Sequence, residues 1–132
     1  MAKQAQTVLP FRVEATDELL TANAGLALFG EFVRGLGLER WLRQEMPKPG
    51  SGRGYQATAY VTPLVLMLNG GGRSLEDMRT LKNDTALTRL LRIDPLPSTD
   101  ALGDWLRRTG SGTGMASLSR LNQRICATRI RQ

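Results

Sequence analysis

The sequence has no histidine and only one cysteine, Cys126. Histidine is the usual general base near neutral pH and a usual zinc ligand, so its absence excludes a hydrolytic triad built on histidine and the common zinc sites. One cysteine excludes an internal disulfide, and a catalytic thiol would need a histidine to activate it. We therefore interpret Cys126 as a small, partly buried helix residue.

Aromatic residues and long apolar runs are also scarce. Aromatic residues make up 5% of the 132, so the core of this single domain has to be built mainly from aliphatic side chains, a composition that favours helices. The longest apolar stretch, residues 61–68, is far too short to span a bilayer, and MAKQAQTVLP lacks the apolar run of a signal peptide. We expect a cytoplasmic protein with no membrane partner.

Acidic residues are nearly missing from the C-terminal quarter of the chain. Residues 1–100 carry twelve Lys/Arg and eleven Asp/Glu, whereas residues 101–132 carry six Arg and one Asp, and the whole chain has a net charge of +6. A planar guanidinium can donate two hydrogen bonds to one phosphate, so we favour a polyanion as the partner over a merely solvated helix face. These arginines are Arg107, Arg108, Arg120, Arg124, Arg129 and Arg131.

The apolar spacing predicts an all-α fold, a multi-helix bundle of six or seven helices with a helix-turn-helix-like unit. We divide it into an N-terminal arm over residues 1–20, a helical domain over residues 21–109 and a basic helix over residues 110–132. Thr21 or Asn23 can cap the first helix, and Pro47 stops the second. The predicted inward positions of the first, fifth and last helices include Leu26, Phe29, Phe32, Val33 and Leu36, then Leu87, Leu90 and Leu91, and finally Met115, Leu118, Leu121 and Ile125.

Residues 55–68 could form either a strand or a helix. Their β-branched and aromatic residues favour a strand, but Pro63 is poorly placed in a central one. We predict a helix, either kinked at Pro63 or starting with Thr62 as its cap. PKPGSGRG, at 47–54, is a loop, and GSGTG, at 110–114, is predicted to be a flexible connection before the last helix.

The glycine-rich turn GGGRS at residues 70–74 admits two interpretations. Glycines before a helix can cradle an anion, but neither GxxxxGK[ST] nor GxGxxG is present, so we favour a tight connection between helices. A DNA phosphate beside Arg73 remains the less demanding alternative. Ser74 with Asp77 forms a variant capping box for the next helix.

Three short helices over residues 74–83, 85–92 and 98–108 have the spacing of a helix-turn-helix-like unit. The last would enter the major groove with its first turns facing the bases. Asp100 weakens this interpretation because it would face phosphates or acceptor edges, and plain bundle packing is the alternative. Ser98 or Thr99 caps this helix, and we assign Trp105, like Trp41, to the core.

Paired carboxylates raise the question of a metal site. The pairs are Asp17–Glu18, Glu76–Asp77 and Asp100 with Asp104. Adjacent helical residues project about 100° apart, and two acids at a helix start are more often capping groups. We therefore predict no metal ligands and no cofactor in this chain.

Three segments resemble the opening region of insertion-sequence transposases of the DDE domain group 1 kind. They are LTANAGLALFGEFVRGLGL, RGYQATAYVTPLVLMLNGGGRSLEDMR and LLRIDPLPSTDALGDWLRR, and the resemblance covers about residues 18–125. AGLALFGEF, GGGRSLEDMR and PSTDALGDWLRR are its most specific pieces. The resemblance implies that an RNase H-like domain follows, in which two Asp and one Glu hold Mg²⁺ for strand cleavage and joining. No residue up to Gln132 matches that triad, so none inherits a catalytic role and we expect the chain alone to be inactive.

The resemblance implies that this chain is the DNA-binding part of a truncated transposase, and that it recognises the double-stranded ends of the element during DNA transposition. Charge and position select seven DNA-binding candidates: Arg73, Arg79, Lys82, Arg107, Arg108, Arg120 and Arg124. We expect Arg120 and Arg124 to face solvent. The alternatives are a helical dimerisation or interaction domain without DNA contact, and a decayed, poorly folded gene product.

Overall fold

The structure, a computed structural model, describes residues 14–130 apart from the side chain of Arg129, and it confirms the predicted all-α fold. The described residues contain no strand, seven α-helices and one 3₁₀ turn, Leu75–Asp77. Residues 14–23 form no helix or strand; the first thirteen residues of the predicted arm over residues 1–20, and residues 131–132, lie outside the described residues. The helices are α1 Ala24–Gly35, α2 Leu38–Glu45, α3 Ala57–Asn69, α4 Met78–Asn83, α5 Thr85–Leu91, α6 Thr99–Ser111 and α7 Gly114–Ile130.

Helices α1 and α2 meet at a turn that requires glycine. Gly37 has a φ of 75°, in the left-handed region that L side chains rarely adopt, and α2 begins at the next residue. Asn23 occupies the N-cap position of α1 but makes no side-chain cap. The prediction that Phe32 faces inward is wrong: Phe32 is 60% exposed, together with Leu28 one turn before it. Val33, the next residue, is buried instead, so the inward face of α1 is narrower than the five residues predicted for it.

Residues 57–69 form a helix, α3, as predicted. The helix begins at Ala57, well before Thr62, so Pro63 lies in its interior and is buried. Of the two forms considered, the one with Pro63 inside the helix is therefore found. A proline removes one hydrogen bond from the helix, but burial of Leu66 and Met67 on the same helix offsets that loss.

The three predicted short helices are present as α4, α5 and α6. The Ser98 hydroxyl accepts the N–H of Ala101 at 3.1 Å, which confirms Ser98 as the cap of α6. Asp84 caps α5 through the N–H of Leu87 at 3.0 Å. The prediction that Leu90 is buried is wrong, because Leu90 is 62% exposed while its neighbour Leu91 is buried.

The core has two parts joined by shared aromatic residues. One part involves α3 to α6; the other joins α1, α2, the start of α3 and α7, and includes Leu42, fully buried, and Leu121 of α7. Phe29 and Trp105 pack against both parts. Helix α7 contacts α2 and α6, and only Gly112 and Thr113 separate it from α6, so the connection is shorter than the predicted one over residues 110–114.

Two further predictions about α7 are wrong. Met115 is 58% exposed, and Cys126 is exposed rather than partly buried. Leu118, Leu121 and Ile125, the other predicted inward residues, do pack against the core. The apolar stripe of α7 therefore begins at Leu118, one turn later than predicted. In the first turn of α7 it is Gly114, not Met115, that packs against α6, in close contact with Thr109.

Candidate nucleic-acid interface

All seven DNA-binding candidates are exposed, but four of them already have a carboxylate partner. Arg79 pairs with Glu76 at 3.1 Å, and Arg107 pairs with Asp104 one turn before it on α6. These exposed pairs stabilise the fold little. Among residues 14–130, Lys82 and Arg108 have no ion-pair partner within 4 Å, whereas Arg120 and Arg124 share one.

Arg120 and Arg124 converge on Glu45, the last residue of α2. Their Nε atoms lie 3.2 and 2.6 Å from the two carboxylate oxygens of Glu45, whose side chain is only 9% exposed. Both arginines face solvent as expected, each being 54% exposed, and each also holds α7 against α2. No local spacing could have revealed this partner, because Glu45 lies on a different helix far away in the sequence.

Trp41 brings a third arginine to the same place. The guanidinium carbons of Arg40 and Arg124 lie 4.6 and 5.5 Å from the centroid of the Trp41 ring. Both distances are within the range of cation–π attraction. We call Arg40, Arg120 and Arg124 the arginine face; with Glu45 counted, it has a net charge of +2. Sequence reasoning missed Arg40 because the segment around it, residues 39–45, balances two Arg against two Glu.

The guanidinium groups of the arginine face keep donors for another ligand. Arg120 uses Nε for Glu45 and one terminal nitrogen for Ser117, at 3.0 Å. Arg124 uses only Nε for Glu45, so among the described residues neither of its terminal nitrogens has a hydrogen-bond acceptor. The face thus combines fixed side chains with free N–H groups, an arrangement suited to phosphate.

The exposed side of α6 is less suited to a phosphate backbone. Its first half exposes Asp100 and Asp104, and Leu102 and Gly103 are buried on its other side. A helix entering the major groove by this end would bring two carboxylates towards DNA. The structure thus favours bundle packing for α6 over groove insertion.

The turn at residues 70–74 does not offer its backbone to an anion. The carboxylate of Asp77 accepts the N–H groups of Arg73 and Ser74 at 2.7 and 2.9 Å, and these two bonds hold the pKa of Asp77 below its ordinary value of 3.8. The capping box of Ser74 and Asp77 is confirmed. Because the donors are already in use, a DNA phosphate at this turn would have to displace a carboxylate. A Cβ at Gly72 would lie 2.6 Å from the Met67 side chain, so tight packing accounts for that glycine.

The described residues show no metal site and no membrane-spanning helix. Across residues 14–130, no three cysteine or acidic side chains group closely enough to hold a metal ion. None of the helices described there has both the length and the apolar character to cross a bilayer.

Comparisons of the chain with models of protein families, with curated proteins and with solved structures found no match.

Proposed function

We propose that this chain binds double-stranded DNA through the arginine face, as the part of an insertion-sequence transposase that recognises the ends of the element. The observation that carries the proposal is the pair of arginines held on Glu45, each half-exposed, with Arg40 beside them over Trp41. No acidic residue occurs in α7. A phosphate backbone approaching α7 therefore meets fixed positive charge without opposing carboxylates on that helix.

Fixing the arginines lowers the entropic cost of binding. A free arginine side chain carries roughly 2 kcal/mol of rotamer entropy, part of which is lost when it contacts a ligand. Glu45 and Trp41 already restrict Arg124, so a phosphate contact there costs less than one to a free arginine. The transposase assignment comes from the sequence segments alone, and we assign no step of strand cleavage or joining to any residue described here.

The test measures how duplex affinity depends on salt. Fluorescence anisotropy of a labelled duplex of about 20 base pairs, between about 50 and 200 mM KCl, should give a log–log slope of roughly −3 if each of the three arginines contacts one phosphate. Affinity should then fall by a factor on the order of 10 to 10² across this range. A slope near zero contradicts DNA binding.

The variant Arg40→Gln locates the contact. Arg40 has no carboxylate partner among the described residues, so its loss removes a charge from the arginine face without exposing Glu45, and the slope should flatten by about 0.9. Arg89→Gln, an equal change on the exposed side of α5, is the control and should leave the slope unchanged. Equal flattening by both variants would indicate a diffuse effect of net charge rather than this face.

A dimerisation or interaction domain is the second candidate function. It is favoured by Leu28 and Phe32, which are 77% and 60% exposed and lie four residues apart on α1. Side chains at this spacing share one helix face, and an exposed apolar pair is a common feature of protein contacts. Sedimentation equilibrium should show self-association that the double change of Leu28 and Phe32 to serine abolishes; a chain monomeric at every concentration rejects self-association as the function.

A further inference from the structure

A groove separate from the arginine face lies between the loop after α2 and the junction of α6 with α7. Its volume is about 520 Å³, within the range of roughly 300 to 1,000 Å³ of small-molecule sites. Pro47, Lys48, Tyr55 and Gly54 contribute from one side, and Trp105, Arg108, Thr109 and Gly114 from the other.

Three of the seven aromatic residues of this chain line the groove. Both of its tyrosines and one of its two tryptophans line it. Tyr60 and Trp105 are stacked, with ring centroids 5.0 Å apart and planes 11° apart, and Tyr55 meets Tyr60 edge-on at 5.9 Å. Tyr60 is buried, but Tyr55 is 44% exposed, so one aromatic ring at the mouth of the groove remains open to a planar ligand.

The charge of the groove is positive. Lys48 and Arg108 line it, and no acidic side chain does. Within residues 14–130, neither cation has a carboxylate within 4 Å, in contrast to Arg107, the neighbour of Arg108, which pairs with Asp104. Two unpaired cations beside an aromatic wall are complementary to a ligand that has both a flat ring and an anionic group.

Two glycines pack closely against neighbouring residues in the two walls of the groove. A Cβ on Gly54 would lie 2.7 Å from the side chain of Pro49, and a Cβ on Gly114 would lie 2.5 Å from the side chain of Thr109. The loop is also closed by a hydrogen bond from Gly54 N–H to Ser51 C=O at 3.2 Å. These contacts restrict the backbone on both sides of the groove, which lowers the entropic cost of binding a ligand there.

We propose that this groove binds an unpaired nucleotide of a nucleic-acid strand, with the base stacked on Tyr55 and the adjacent phosphates held by Lys48 and Arg108. The combination of aromatic stacking surface and positive groove is typical of single-strand binding. A base inside a duplex has both faces covered by its neighbours, so the site selects bases that are unpaired. This activity does not depend on duplex binding by the arginine face.

The test uses the full chain and a labelled oligothymidylate of about six nucleotides, followed by anisotropy. Tyr55→Ala should weaken binding by roughly 5- to 100-fold, the range expected for the loss of one stacked base, whereas Tyr55→Phe keeps the ring and should bind as the parent does. Lys48→Gln and Arg108→Gln should each reduce the log–log salt slope by about 0.7. Arg89→Gln on α5 is the matched control for charge and should change neither quantity.

Three results would overturn the proposal. They are equal affinity of the Tyr55→Ala and Tyr55→Phe variants, equal affinity for an abasic strand of the same length, and tighter binding of hexaglutamate than of the oligonucleotide, which would assign the groove to an acidic peptide. Because Lys48 is an exposed loop residue, its variant reports on the groove even if Tyr55→Ala is poorly folded. Duplex affinity measured in parallel separates the two activities: Arg40→Gln should weaken only the duplex complex, and Tyr55→Ala only the single-strand complex.

Discussion

Arg124 Nε lies 2.6 Å from Glu45 Oε1, and this contact joins the last helix of the described chain to the second. The Glu45 side chain is only 9% exposed, so its carboxylate has little access to water and depends on its arginine partners. The basic helix, for which the sequence predicts a polyanion as partner, is therefore also a structural element. The same two arginines are proposed to contact DNA and to compensate a nearly buried charge.

The first prediction concerns this dual role. Changing Arg120 and Arg124 together to Gln should lower the free energy of unfolding by about 1 to 3 kcal/mol, because a nearly buried carboxylate loses its partners. Adding Glu45→Gln to the double variant removes the unpaired charge and should recover most of the loss. Urea denaturation followed by circular dichroism measures both differences. If the double variant is as stable as the parent, water reaches Glu45 and the ion pairs contribute little.

DNA affinity should not follow stability in these variants. For the triple variant, the log–log slope of duplex affinity against salt concentration should still be about two units less negative than for the parent. Two phosphate-binding charges are missing from it. Recovery of stability without recovery of the slope would separate the structural role of the two arginines from their DNA contact. Recovery of both would show that the double variant lost DNA affinity only through unfolding.

The second prediction concerns acid stability and Asp84. Partial burial alone would raise the pKa of Asp84, but hydrogen bonds from Thr21, Asn23 and the N–H of Leu87 outweigh it and hold the pKa below 3.8. A carboxylate with a lowered folded-state pKa stabilises the fold at pH values above its unfolded pKa, and this contribution is lost as the pH falls through the folded pKa.

Asp84→Asn should therefore destabilise the protein at pH 7, and the difference from the parent should shrink as the pH falls below about 3.8. Thermal melts at a series of pH values measure this. Asp17→Asn, in the exposed segment before α1, is the control and should track the parent at each pH. A difference independent of pH would mean that Asp84 acts only through its shape and not through its charge.

Interactions between residues close together in the chain could be predicted from the sequence. The Ser98 cap, the box of Ser74 and Asp77, and the helix around Pro63 follow from side chains that contact backbone three or four residues away, or from the apolar period of one helix. The number of helices follows from the same local patterns. Local chemistry therefore accounts for the all-α class and for most of the helix boundaries.

Contacts between different helices could not be predicted from the sequence. The partner of Arg124 is set by how α7 lies on α2, and the stacking of Tyr60 on Trp105 is set by how α6 lies on α3. The apolar period of a helix also does not define how wide its buried face is. For this reason the sequence predicts an inward Phe32, which is exposed in the structure. The candidate site depends on these long-range contacts, so the sequence predicted Arg120 and Arg124 as binding residues but missed Arg40, Glu45 and the aromatic groove.

The third prediction tests the docking of α7. Leu121 is 6% exposed and packs in the core with Leu42 of α2, so Leu121→Ala should lower the free energy of unfolding by about 2 to 4 kcal/mol. Met115→Ala, on the same helix but 58% exposed, should change it by less than about 0.5 kcal/mol. Equal small effects from both changes would indicate that α7 is not part of the cooperative unit.

The last prediction concerns two glycines on either side of the α6–α7 junction. A Cβ on Gly114 would lie 2.5 Å from Thr109 Cγ2 and 2.9 Å from the Thr109 Cα and O atoms. Because part of this obstruction is backbone, α7 itself has to move, and Gly114→Ala should destabilise the protein by about 1 to 3 kcal/mol. Gly110 lies within α6, and a Cβ there would meet no atom within 4 Å, so Gly110→Ala should instead stabilise by about 0.5 to 1 kcal/mol through better helix propensity. Urea denaturation of the two single variants measures this difference in sign. If Gly114→Ala is neutral, the two helices are not packed as closely as described, and the junction is the flexible connection that the sequence predicted.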